Sequence, residues 1–132
     1  MSGQGAGRLI LIVEDNEKNL KLVRDILQFR GYRTLEATNA EDGIALAASH
    51  LPDLVLMDIR LPGMDGMAAL DILRADTRTA RIPVVAVTAS VMPEDKDRFV
   101  TAGFDGFIEK PIDVRAFPAQ VQAYLDRTEQ PG

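Results

Sequence analysis

Four short apolar runs, each stopping at a polar or charged residue, constrain this chain more than any other feature of it. Leu9-Ile10-Leu11-Ile12-Val13 stops at Glu14 and Asp15, and Leu54-Val55-Leu56-Met57 stops at Asp58. Pro83-Val84-Val85-Ala86-Val87 stops at Thr88, and the shorter Phe107-Ile108 runs into Glu109-Lys110-Pro111. Runs without polar alternation read as strands buried on both faces, as in a parallel sheet covered by helices. Tyr32-Arg33-Thr34-Leu35-Glu36-Ala37 alternates instead, which predicts a half-exposed edge strand.

Helical patterns fill the gaps between the runs. Lys18 to Arg30 places Leu20, Val23 and Leu27 on one face with Leu22, Ile26 and Phe29 beside them. Asn16 is placed to cap its start and Gly31 to take the left-handed position past its end. Ala40 to Ser49 follows Asn39, with Glu41 and Asp42 where the helix dipole favours anions. Met67 to Ala75 carries Leu70 and Leu73, and Pro93 to Ala102 opens on a proline and ends at Gly103. Val114 to Arg127 carries Phe117, Val121 and Leu125 at helical spacing. Pro118 has no amide to give a second helical turn, so that helix is expected to start late or irregularly. Strand and helix alternate throughout, which predicts a doubly wound α/β domain over 9–127 between short tails at 1–8 and 128–132.

Length and charge narrow the function. A chain of 132 residues is the size of one domain. With 20 acidic and 15 basic residues the net charge is -5, which repels phosphate backbones and anionic lipid. Nucleic acid and membrane are therefore not expected as direct partners. The 0 Cys remove disulfides, thiolate metal sites and cysteine nucleophiles, and a catalytic histidine would have to be His50, which reads as a solvated residue near a helix end. No apolar run reaches the roughly 20 residues of a membrane span, and the small-residue start lacks the pattern of a secretory signal. A cytoplasmic location is expected.

In a doubly wound sheet, ligands bind outside the carboxyl ends of the strands. Glu14, Asp15, Asp58, Thr88 and Lys110 all fall at those ends. Three carboxylates in one half-buried cleft repel one another unless a cation is present. Oxygen ligands without thiolates point to Mg²⁺. A lysine and a threonine hydroxyl facing that cation supply the point charge and hydrogen bond that a phosphoryl group takes.

Glu14-Asp15-Asn16, Asp58, Leu61-Pro62-Gly63-Met64-Asp65-Gly66, Thr88-Ala89 and Ala102-Gly103-Phe104-Asp105-Gly106-Phe107-Ile108-Glu109-Lys110-Pro111, in that order, resemble the receiver domain of bacterial two-component response regulators. The resemblance runs from about Leu9 to about Leu125. It implies a flavodoxin-like, five-stranded parallel sheet of order 2-1-3-4-5 with helices on both faces. It also implies that Asp58 accepts a phosphoryl group from a sensor histidine kinase or a histidine phosphotransfer protein. Asp15, Asp58 and the backbone carbonyl of Arg60 would hold Mg²⁺, Glu14 would act mainly through water, and Thr88 and Lys110 would bind the phosphoryl oxygens. Arg60 and Ser90 would influence how water reaches the phosphoryl group.

In the family, an aromatic at the position of Phe107 fills the space that the threonine vacates. Here it lacks the hydroxyl often found there, so the inward rotamer is expected to be populated even without phosphate. A downstream protein would then read the face of the fourth helix, fifth strand and fifth helix, with Met92 and Arg98 as candidate contacts. Only five residues follow the last helix, too few for an output domain, so the chain is expected to resemble stand-alone receivers. A receiver fragment of a larger hybrid protein and an aspartate-nucleophile phosphatase of the haloacid dehalogenase type are the alternatives. The phosphatase normally has its nucleophile after the first strand and a second Asp two residues on, whereas Asp58 is followed by Ile59 and Arg60.

Overall fold

The structure, a computed structural model, describes residues 7–61, 63–89 and 92–129. Pro62 and Ser90, singled out above, lie outside the described residues, as do most of the two tails. Five strands alternate with five helices: β1 (Leu9–Val13), α1 (Glu17–Phe29), β2 (Arg33–Ala37), α2 (Ala40–His50), β3 (Leu54–Asp58), α3 (Gly66–Ala75), β4 (Val84–Thr88), α4 (Pro93–Ala102), β5 (Gly106–Glu109) and α5 (Phe117–Glu129). The strands form one parallel sheet in the order β2-β1-β3-β4-β5.

Alternate residues of the central strands feed two separate cores, which is why these runs contain no polar residue. Ile10, Ile12, Leu54, Leu56, Val85 and Val87 pack with Leu20, Val23 and Leu27 of α1 and Phe117, Val121 and Leu125 of α5. Leu11, Val13, Val55, Met57, Val84 and Ala86 pack with α2, with Ala69, Leu70 and Leu73 of α3 and with Phe99 of α4. Phe29 is not part of either core: it is 87% exposed, because it lies two residues, about 200° of helical turn, beyond buried Leu27. Tyr32 is buried instead, its hydroxyl donating to Gln122 Oε1 at 2.9 Å.

The caps follow the sequence. Asn16 Oδ1 accepts from Asn19 N and Asn39 Oδ1 from Asp42 N, at 3.0 and 2.8 Å. Gly103 ends α4 at φ 109, a conformation that side chains with a Cβ rarely adopt. The last helix begins at Phe117 rather than Val114, so Pro118 lies in the first turn, where no intrahelical donor is missed. Asp113 Oδ1 takes the amides of Arg115 and Ala116 just before it. At the other end of the chain, the Gly7 amide donates to Gly31 O at 3.1 Å, just ahead of β1.

Candidate functional site

Because every strand runs the same way, the polar residue that ends each run arrives at the same edge of the sheet. Glu14 follows β1, with its amide on Ala37 O at 3.0 Å, and its side chain is buried. Asp58 is the last residue of β3 and is 5% exposed. Thr88 ends β4 and is buried, and its carbonyl accepts from Lys110 N at 2.7 Å, which pins the residue after β5 beside it.

Three carboxylates meet there. Oxygens of Glu14, Asp15 and Asp58 lie within 4.8 Å of one another, with Asp15 exposed and the other two buried. Lys110 stands across from them, its Nζ 2.8 Å from Glu14 Oε1 and 3.1 Å from Asp58 Oδ2. The other Asp58 oxygen accepts from the Arg60 amide at 2.9 Å, while the Arg60 side chain is exposed. Gly66 is required here by space: its amide donates to Ile59 O, and a Cβ would fall 2.8 Å from the Asp58 carbonyl oxygen.

One ammonium cannot balance three carboxylates, and the imbalance shows in the ionisation. Burial, reinforced by the hydrogen-bonded Asp58 carboxyl, pushes Glu14 from 4.5 up to about 7 against the opposing pull of Lys110. Burial by itself would lower the Lys110 ammonium, but its bonds to Glu14 and Asp58 hold it above its ordinary value. An all-oxygen, electron-rich donor set of this kind fits a hard divalent cation such as Mg²⁺.

An open cleft of about 230 Å³ adjoins the cluster, lined by Ile59, Arg60, Thr88, Asp95, Arg98 and Phe99. Phe99 is the one buried residue of α4, and it stacks edge-on against buried Phe104 with ring centroids 6.0 Å apart. Phe107 is neither turned out nor fully buried. It packs half-buried against the core, its ring centroid 6.4 Å from that of Phe99. Met92 and Arg98 are exposed, as expected of contact candidates, and His50 is exposed in the last turn of α2. Met64 and Met67, undecided from sequence, pack against the core.

The structure brings Glu14, Asp15, Asp58 and Lys110 together at one edge, as the sequence reading expected, and adds two features which that reading missed. The sequence reading paired Lys110 with the phosphoryl oxygens and did not foresee that the ammonium bridges Glu14 and Asp58 in the unmodified protein. It also missed Lys96, whose Nζ lies 5.5 Å from the centroid of the Phe107 ring. Only its place on α4, between acidic residues, could have drawn attention to it.

Comparison with known proteins is consistent across sequence and structure. Residues 10–122 match the family model of the response regulator receiver domain. The polar-differentiation response regulator DivK of Brucella anthropi is 42% identical over 116 residues, covering 88% of this chain and 94% of its own. A CheY-like response regulator receiver domain protein from Methanospirillum hungatei superposes with a TM-score of 0.86 at 30% identity, over 96% of this chain and 99% of that one. The receiver domain of a sensor histidine kinase from Pseudomonas aeruginosa, solved with a magnesium ion coordinated in its active-site cleft, gives 0.83 at 30% identity, over 92% and 99%.

Proposed function

Since the chain belongs to the response regulator receiver domain family, we propose that Asp58 is its phosphoryl acceptor and Lys110 and Thr88 the groups that hold the phosphoryl oxygens. The observation that carries this reading is the Lys110 ammonium lying between Glu14 and Asp58, beside exposed Asp15. The donor is a phosphohistidine on a sensor histidine kinase or a histidine phosphotransfer protein. An Asp58 oxygen forms the new P–O bond as the P–N bond of the donor breaks, and the imidazole leaves with the electron pair. This transfer passes through a loose transition state, so positioning and charge neutralisation supply most of the catalysis.

The Arg60 amide fixes one Asp58 oxygen, leaving the other on the Lys110 side. Asp15, Asp58 and the Arg60 carbonyl are the proposed Mg²⁺ ligands, with Glu14 reaching it through water. When bound, Mg²⁺ supplies the positive charge that the three carboxylates and the incoming phosphoryl group lack. The same residues would assist hydrolysis of the acyl phosphate, so the domain takes part in both its own phosphorylation and its own reset.

Phosphorylation roughly doubles the negative charge at Asp58. Thr88, at the end of β4, is positioned to move toward it, and Phe107 lies on the neighbouring strand. The face of α4, β5 and α5 is the proposed surface for a downstream protein, with Met92, 53% exposed, and Arg98 as contacts. No helix among the described residues is long and apolar enough to cross a membrane. Exchange with such donors takes place in the cytoplasm, the location proposed for this chain.

Incubation with acetyl phosphate and Mg²⁺ is expected to add one phosphoryl mass per chain. Asp58→Asn and a chelator should each abolish the addition. Full labelling of that variant, or labelling that ignores the chelator, would remove Asp58 or the metal from the assignment.

A further inference from the structure

Phe107 lacks the hydroxyl with which a tyrosine could fix the position of its ring. The structure supplies a different hold. Lys96, on the second turn of α4, places its ammonium 5.5 Å from the ring centroid, within the distance at which a cation is attracted by an aromatic face. It does so although Glu94, Asp95 and Asp97 surround it on its own helix and Glu109 lies two residues beyond the ring. Among the described residues no carboxylate forms an ion pair with Lys96.

The ring is bounded on its other sides as well. Phe99 packs against it at 6.4 Å, and the Phe107 carbonyl, at the open edge of the sheet, accepts from the Tyr124 hydroxyl at 3.3 Å. The backbone of Phe107 is thereby tied to α5 while its ring is tied to α4. We propose that Lys96 is a positioning residue for Phe107: its ammonium, standing over the ring, retains the ring in the half-buried place and couples its movement to α4.

The inference deepens the proposed switch and rests on that reading for its consequence, though the hold itself is present in the unphosphorylated protein. Full burial of the ring requires it to leave the ammonium. Losing the charge should therefore shift the ring toward burial by about two- to fivefold, the range expected for an exposed cation–π contact. Lys96 is exposed, so the fold should be indifferent to its replacement.

The test uses the full chain with fluorine-labelled phenylalanine, the Phe107 resonance being assigned by its loss in Phe107→Leu. In metal-free, unphosphorylated protein, Lys96→Met keeps the length of the stem and removes the charge, and should move the Phe107 resonance at an unchanged melting temperature. Lys96→Arg should leave it near its wild-type position. A resonance unmoved in Lys96→Met overturns the proposal, and so does an equal displacement in both variants, since the stem rather than the charge would then be responsible. Adding a beryllofluoride mimic separates this from the phosphorylation reading. If wild type and variants alike fail to respond to it, the Asp58 assignment fails, while the comparison made without it still decides the role of Lys96.

Discussion

At the amino ends of β4 and β5, one guanidinium meets one carboxylate and three carbonyls. At the carboxyl ends of the strands, three carboxylates gather and one ammonium bonds to two of them. In the first region Arg74, on the last turn of α3, donates to Ala80 O and Ile82 O at 3.1 and 2.6 Å, and to Gly103 O and Asp105 Oδ2 at 3.1 and 2.9 Å. Asp105 Oδ2 also accepts from Val84 N at 2.8 Å, so a single charge pair closes the turns before β4 and β5. Arg74 and Asp105 there neutralise one another. In the second region Glu14 is held half-neutral near pH 7, because its burial and the neighbouring Asp58 carboxyl outweigh the pull of the single ammonium. One end of the sheet is finished by the chain itself, while the other is left short of positive charge. That shortage is what lets it take up a cation and respond to an added phosphoryl group.

Breaking the satisfied end should have the largest effect. Arg74→Ala strips the donor from three carbonyls and from Asp105, and should cost about 2–3 kcal/mol. A lower urea midpoint at an unchanged slope would show it; a midpoint within error of wild type would mean that water replaces the guanidinium without loss.

The strained end should behave in the opposite sense. Between pH 4.5 and 7 the folded protein keeps a proton on Glu14 that the unfolded chain has released. Metal-free stability should therefore fall as pH rises through that window, by on the order of 2–3 kcal/mol. Glu14→Gln should flatten the dependence and stabilise the metal-free protein at pH 8, which urea unfolding at pH 5 and pH 8 would reveal. A wild-type protein equally stable at both values would show that the cluster is already balanced.

A smaller difference sharpens the picture within the cluster. Asp15→Asn should weaken Mg²⁺ binding by about tenfold more than Glu14→Gln, equivalent to about 1.4 kcal/mol, if Asp15 contacts the metal directly and Glu14 acts through water. Calorimetric titration of the two variants measures the ratio. Equal losses would place both carboxylates in the same role.

Much of this contrast could be read from the chain before folding. Strands buried on both faces leave no room for polar residues except at their ends, so Glu14, Asp58 and Thr88 marked the carboxyl edge by position alone. Asn16, Asn39, Gly103 and Pro118 act through their own neighbouring backbone, and local chemistry of that kind survives any tertiary context. The exposure of Phe29 was legible in its spacing from Leu27, although the sequence reading grouped it beside the apolar face. The Arg74 network was not legible at all, because its partners lie up to 31 residues away and three of the bonds are to carbonyls that every residue carries.

The sequence by itself therefore determined the elements, their alternation, and the set of groups that gather at one edge. The tertiary structure decided how those groups divide the available charge. Lys110 is shared between Glu14 and Asp58, Asp15 is left at the surface, and Lys96 lies over Phe107 rather than in an ion pair with the acids beside it. Those outcomes depend on distances of a few ångströms between residues far apart in the chain and on the burial that sets the strength of each interaction, and no local pattern encodes either.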